Sequence, residues 1–296
     1  MSNLVFQLLA NGLINGCLYA LLATSYALIY NTTRVFHIAH GAAYTLGAYL
    51  SFYFLVKLRW PLWAAIAGAV LLSGLLGAFM EWFLYAPLAR RRSSPLVAFL
   101  SSLGFYTAAI NVIALLFGNE TQVLRSGVAE TITVGAVIIT KIQVAQALTA
   151  ALLLAALLLA LWGSRWGRRI RAVCDNAVLA SVMGINVFAV RTAVFAVGSS
   201  LAALVAVLSA LDVGMDPHVG MPALLTAAVA LIIGGVGTFN GPVLGGLVLG
   251  LVQALVVWQF SARWTEAVTF AVLILFLVYR PSGILSRRQR LEEQAA

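Results

Sequence analysis

Charge is what this sequence has least of. Lys, Arg, Asp and Glu together make up 9% of its 296 residues, with 18 basic and 9 acidic side chains. A soluble domain carries about 25% charge, because its outside must be covered with polar groups. With 62% of the residues hydrophobic, that outside cannot be assembled, which excludes a soluble globular enzyme and equally a disordered chain. Cysteine is also scarce. Cys17 falls in an apolar run and Cys174 in a basic one, so neither a disulfide nor a metal-binding spacing is expected. There is no G-x-x-x-x-G-K-[ST] phosphate loop and no H-E-x-x-H motif.

Charge is missing altogether from Met1–Thr33 and from the 44 residues Val219–Ala262. A helix crosses a bilayer with roughly 20 apolar residues, so the second run holds two crossings, or one crossing and a broken segment. The first run lacks a basic n-region and is too long for the h-region of a cleavable signal peptide. Apolar spans read at about 5–30, 35–56, 61–85, 96–117, 142–162, 192–211, 219–262 and 266–281. Backbone groups in lipid must be satisfied within the segment, and the spans lack the alternation of barrel strands. The expected fold is all-α, a polytopic transmembrane helical bundle of about 8–10 membrane segments, including short or broken helices. The count is nine if 219–262 crosses twice with Gly234–Pro242 as the turn.

The basic residues cluster between spans, which is the pattern of membrane orientation and not of nucleic-acid binding. Thirteen fall on one side: Arg34; Arg90, Arg91 and Arg92; Arg165, Arg168, Arg169, Arg171 and Arg191; Arg280, Arg287, Arg288 and Arg290. Five fall on the other: Lys57, Arg59, Arg125, Lys141 and Arg263. The positive-inside rule then puts the N-terminus outside and the C-terminus in the cytoplasm. The external loop 118–141, rich in Thr, Val and Gly, is expected to form a small hairpin or a solvated connector.

Few residues suggest chemistry. His37 and His40 share a helical face, but the acid nearest in sequence is Glu81. That spacing favours polar packing near a helix end over a metal site, with a pathway-lining role as the sharper alternative. Glu81 reads as an interfacial ion pair near Arg90. No charge is expected at a span centre, which disfavours a proton-driven pump. Gly234–Pro242 is glycine-rich but lacks the phosphate-loop Lys, and glycines with Pro in an apolar run mark a broken membrane helix. Gly241, Gly245, Gly246 and Gly250 have GxxxG spacing for close helix packing. Gly235, Gly237, Asn240 and Gly241 are hinge or pathway candidates. Asn11, Asn15, Asn111 and Gln253 are uncharged polar groups that suit a pathway or interhelical hydrogen bonds equally. In the basic loop of about 163–191, Asn176 to Met183 reads as a short helix. Asp175 or Asn176 caps it and Gly184 ends it. Its small face (Ala177, Ala180 and Gly184) suits docking on a cytosolic protein or simple contact with lipid headgroups.

Several motifs occur in order from about residue 8 to 285. They are Asn11-Gly12-Leu13, Gly16 and Tyr19-Ala20-Leu21-Leu22-Ala23; Phe36, Ala39-His40-Gly41 and Leu46-Gly47-Ala48-Tyr49; Arg171-Ala172-Val173, Asp175-Asn176, Ala180 and Met183-Gly184-Ile185-Asn186; Gly234-Gly235-Val236-Gly237 with Gly241-Pro242 and Gly245-Gly246; and Tyr279-Arg280-Pro281-Ser282-Gly283. Together they resemble the branched-chain amino acid ABC transporter permease family, the LivH-type subunit. Two positions depart from its pattern: His37 stands where Asn is expected, and Cys174 stands where another polar residue is usual.

The resemblance implies that 1–296 is one permease domain in the inner membrane of a bacterium. The permease would pair with a second homologous permease, two cytosolic ABC ATPases that bind the ATP, and a periplasmic or lipid-anchored substrate-binding protein. It would carry no cofactor and no enzymatic activity of its own. The coupling helix at about 175–184, with Arg171, Asp175, Asn176, Ala180, Met183, Gly184 and Ile185, would contact the ATPases. Leucine, isoleucine and valine lead as substrates, with urea, short amides or small aromatic acids as alternatives. The rival classes are a secondary transporter or channel, and an integral membrane enzyme.

Overall fold

The computed structural model describes residues 2–124, 130–135 and 137–285. Arg125 and the tail arginines Arg287, Arg288 and Arg290, used above for orientation, lie outside the described residues.

Twelve α-helices and one hairpin make up the described chain. The first five helices are α1 (Ser2–Thr33), α2 (Ala39–Phe52), α3 (Leu62–Met80), α4 (Ala86–Arg90) and α5 (Pro95–Phe117). The hairpin β1 (Thr131–Val134) and β2 (Val137–Thr140) follows. Then come α6 (Lys141–Gly163), α7 (Arg165–Asp175), α8 (Ala177–Val182), α9 (Val187–Val213), α10 (Gly220–Gly234), α11 (Gly241–Gln259) and α12 (Thr265–Tyr279). Seven helical stretches are long and apolar enough to cross a membrane, and Gly220–Gly234 is a shorter apolar helix. Many large apolar side chains, such as Leu115, Leu159 and Val278, face outward, as a lipid-solvated bundle requires.

Two wide π turns interrupt this regularity. One continues α2 over Tyr53–Lys57, and the other joins α3 to α4 over Glu81–Tyr85. The second precedes Pro87, which has no N–H to donate and whose ring crowds the carbonyl four residues back. The run 219–262 folds as two helices, α10 and α11, joined by a turn at 235–240.

Small residues set how closely the helices approach. A Cβ on Gly12 would lie 3.0 Å from the Cα of Leu251, and one on Gly16 would lie 3.1 Å from that of Leu247. Across the same α1–α11 seam, Gly246 faces the backbone of Ala20, and Gly250 that of Gly16. This is the close packing expected of GxxxG spacing. Gly234 and Gly241 face each other where α10 turns into α11, and Gly245 packs on Ala230. Gly47 meets Ala203 between α2 and α9, and Gly74 and Gly77 meet Ser200, Ser199 and Phe195 between α3 and α9.

The bundle has two distinct ends. At one, an Arg34 guanidinium N–H donates to the Cys174 carbonyl (3.3 Å), and buried Phe239 joins a cluster with Val173 and Ala180. At the other, Gln122 and Met215 pair backbone to backbone. There the antiparallel hairpin, one of the two forms read for the 118–141 loop, is tied to α1. The Gln7 side chain accepts from the Ile138 N–H (2.8 Å) and donates to its carbonyl (2.9 Å). Thr140 and Gln143 form a capping box that starts α6.

Candidate functional site

The basic loop folds as two helices set at a corner. Ser164 caps α7, accepting from the Gly167 N–H at 2.9 Å, and Asn176 caps α8, accepting from Leu179 at 2.9 Å. Asn176 is extended, with φ −156°, so the chain turns there and α8 starts afresh. Gly184 ends α8 with φ +81°, where a residue with a Cβ is strained. Asn186 then caps α9, accepting from Ala189 at 3.0 Å. The expected cap and stop are therefore in place.

Of the small face read from sequence, Gly184 is exposed and the two alanines turn inward. Ala180 is buried and Ala177 half-buried against Val173, Leu161, Tyr85 and Phe239. The face turned outward is apolar and larger: Val178, Leu179, Val182 and Met183, with Val182 77% exposed. Ile185 is half-buried and packs on the same inner cluster. Arg171 lies over the Trp162 ring, 4.4 Å from its centroid. The small side chains let α8 sit close to the bundle, while the large ones are presented to whatever lies beyond it.

The glycine turn lies at the same end. Gly235 and Gly237 have φ of +116° and +86°. Asn31, at the end of α1, pins the turn by accepting from the Gly237 N–H (3.1 Å) and donating to the Thr238 carbonyl (3.2 Å). Thr238 donates its hydroxyl to the Gly235 carbonyl and accepts from the Gly241 N–H. Residues 284 and 285 close the turn from outside: the N–H of Ile284 donates to Ile233 (2.8 Å) and that of Leu285 to Gly234 (2.9 Å). Asn240 is exposed and makes no side-chain cap for α11. Asn31 was not singled out from sequence, where its only signal is an amide at the end of a charge-free span.

A buried polar layer runs between these elements. His37 and His40 are fully buried. His37 Nδ1 lies 2.5 Å from Tyr85 Oη, and His40 Nε2 lies 3.1 Å from Ser25 Oγ. Glu81 does not pair with Arg90 at an interface. It is 1% exposed, and Oε1 lies 3.0 Å from Arg191 Nε of α9. The helical run 62–90 turns Glu81 into the bundle, and Arg191, at the start of α9, reaches in to meet it. Among the described residues no three His, Cys, Asp or Glu side chains are grouped to hold a metal ion.

Near the other end lies a cavity of ≈ 520 Å³. Asn11 and Asn15 of α1, Gln253 of α11 and Thr265 of α12 line it with Tyr19, Gln143 and Asp212, beside apolar Leu8, Ile14, Val257 and Trp258. Gln143 donates to Asp212 at 3.3 Å, and Gln253 to Thr269 at 2.9 Å. Three of the four uncharged polar residues named from sequence thus converge. Asn111 does not: it sits on the outer face of α5 and donates back to Thr107 of its own helix. The histidines do not line this cavity. Asp212 and Gln143 were missed, because each sits at a helix end where a polar residue needs no special reason.

A family model described as the permease component of a branched-chain amino acid transport system matches residues 8–277. The high-affinity branched-chain amino acid transport system permease protein LivH of Escherichia coli K12 is 32% identical over 295 residues, 95% of each chain. The corresponding protein BraD of Pseudomonas aeruginosa PAO1 is 30% identical over 295 residues, again 95% of each. Among solved structures, PsaBC from Streptococcus pneumoniae in complex with Fab has a TM-score of 0.52 at 14% identity, covering 97% of this chain and 94% of that one. That is a likeness of fold alone. Membrane-spanning length, the paired glycine helices and the match along nearly the whole chain lead to one assignment: the chain belongs to the family of permease components of branched-chain amino acid transport systems.

Proposed function

We propose that this permease imports amino acids with apolar side chains, leucine, isoleucine and valine foremost, as the membrane subunit of an ATP-driven importer. The observation that carries the substrate reading is the mixed lining of the 520 Å³ cavity. Asp212 offers a carboxylate to an ammonium group, the amides of Asn11, Asn15 and Gln253 offer donors to a carboxylate, and Leu8, Ile14 and Val257 offer an apolar wall. A zwitterion with a branched aliphatic side chain uses all three.

The positive-inside rule places the loop around 163–191 in the cytoplasm and the N-terminus outside. The cavity then lies toward the outer end, where a binding protein delivers substrate. The α8 face of Val178, Leu179, Val182 and Met183 is the contact for a cytosolic ATPase, and ATP is bound and hydrolysed there, not on this chain. Arg171, Asp175 and Asn176 set the position of α8 from the α7 side. A second, homologous permease completes the pathway. The glycine turn is the hinge. Its Phe239 packs in the same apolar cluster as Ala180, so a shift of α8 bears on the α10–α11 corner. For ATP to drive the change, the ATPase must hold α8 differently in the outward- and inward-open states.

The test is affinity purification of the tagged chain from native membranes in mild detergent, followed by reconstitution. Recovery of two ABC ATPases and a second permease, with leucine uptake that requires ATP inside the importer's cytosolic compartment, supports the proposal. Isolation of this chain alone, under conditions that keep a control importer intact, overturns it. Uptake independent of ATP does the same.

A further inference from the structure

A second cavity lies at the basic end, between α6, α7 and α9. It measures ≈ 200 Å³, and its walls include Leu157 and Leu161 of α6, Trp166 and Ile170 of α7, and Ala193 and Val197 of α9. Ser164 is its one polar lining residue, and that hydroxyl is already engaged: it donates to the Ala160 carbonyl (2.6 Å) and accepts from the Gly167 N–H (2.9 Å). A space with no open polar group takes hydrocarbon and not water. Along α6 its lining runs from Leu157 to Ser164, about 10 Å along the axis at 1.5 Å per residue, which takes part of a flexible chain entering sideways from the bilayer.

Exposed cations of α7 stand next to the cavity lining in sequence. Trp166, which lines it, carries the Arg169 guanidinium 5.5 Å over its ring. Arg165 is one helical turn before Arg169, and both are exposed, so the two share a face of α7. Trp162 and Trp166 are each about half exposed, the position of an aromatic belt at headgroup depth. A dry slot under a tryptophan, with two arginines above it, matches an amphiphile that has an acyl chain below and a phosphate on top.

We propose that this cleft binds one anionic phospholipid, with an acyl chain between α6 and α9 and its phosphate on Arg165 and Arg169. Occupancy bears on the transport machinery, because Ile170 and Val173 of α7 pack in the same cluster as Ala180 of α8. A seated lipid holds the arm from which α8 projects.

The experiment uses the full importer complex, delipidated and placed in nanodiscs of phosphatidylglycerol or phosphatidylcholine, with native mass spectrometry and thermal midpoint as readouts. Phosphatidylglycerol is expected to remain bound and to raise the midpoint, while phosphatidylcholine and inorganic phosphate do neither. Arg165→Gln with Arg169→Gln, both on the exposed face, should weaken phosphatidylglycerol retention by about tenfold or more, the scale of a hydrogen bond between charged groups. Ala193→Phe should fill the slot and lower retention with both arginines intact. Equal retention of the two lipids, or unchanged phosphatidylglycerol binding in the arginine variant, overturns the proposal. The arginine variant decides the matter even if Ala193→Phe fails to fold.

Discussion

Glu81 and Arg191 meet inside the bundle, 3.0 Å apart, joining the π turn after α3 to the start of α9. The contact is buried on the glutamate side, and the second carboxylate oxygen, Oε2, has no hydrogen-bond partner. It is the one ion pair between two spanning helices among the described residues. Both helices also flank the His37–Tyr85 contact.

Breaking that pair from one side strands a buried charge, at a cost of about 3–5 kcal/mol. Glu81→Gln or Arg191→Met alone should therefore lower the thermal midpoint of the purified complex markedly. Combining Glu81→Gln with Arg191→Met should do less harm than the two single losses added together. Additive losses in the double variant would show that the two groups do not stabilise each other.

The glycine turn depends on one amide. Asn31→Ala removes the bonds to Gly237 and Thr238 and should cost about 1–3 kcal/mol, since backbone groups are left unsatisfied. Asn31→Asp keeps the acceptor for Gly237 but buries a carboxylate with one oxygen against the Thr238 carbonyl, so it should do at least as much harm as alanine. Chemical denaturation of detergent-solubilised protein tests the order. Gly235→Ala should be worse than either, because φ is +116° and the new Cβ would press on the Leu285 carbonyl.

Asp212 is the one charged lining residue of the larger cavity. Asp212→Asn should raise the KM for leucine uptake by roughly tenfold or more, the worth of a hydrogen bond to a charged group. Assembly with the ATPases should be unaffected, which co-purification checks. An unchanged KM would remove Asp212 from the pathway.

The outward face of α8 gives a sharper test of coupling than its inward one. Val182→Asp with Met183→Glu alters only exposed side chains. It should abolish ATP-driven uptake while leaving the amount of folded permease in the membrane unchanged. Ala180→Arg instead puts a charge into the apolar cluster and should reduce the folded amount itself. Full uptake by the Val182/Met183 variant would sink the assignment of α8 as the coupling helix.

Much of this was legible in the chain. The charge-free run 219–262, punctuated by Gly234–Pro242, indicates two helices and a turn, because glycines clustered just ahead of a proline mark a break, and Gly235 and Gly237 do take positive φ there. Asn176 and Gly184 mark the ends of α8, because caps act locally. The face of α8 was not legible. Its rotation depends on α7, a separate helix that meets it at a corner set by the extended backbone of Asn176. The partner of Glu81 was also hidden. Arg90 is near in sequence, but the helical run 62–90 turns Glu81 toward α9, and only tertiary packing brings Arg191 to it. For the same reason Asp212, Gln143 and Gln253 could not be grouped beforehand, as they come from three different helices or their ends.

The α1–α11 seam has a consequence for biogenesis. Gly16, near the beginning of the chain, packs on Leu247 and Gly250, near its end. A ribosome adds about 5–20 residues per second, so roughly ten to fifty seconds separate the synthesis of the two sides. During that interval α1 sits in the bilayer with its glycine face uncovered, open to lipid, to an insertase or to a competing helix. The permease is thus exposed to mispairing longest at its first segment, and its maturation waits on one of its last.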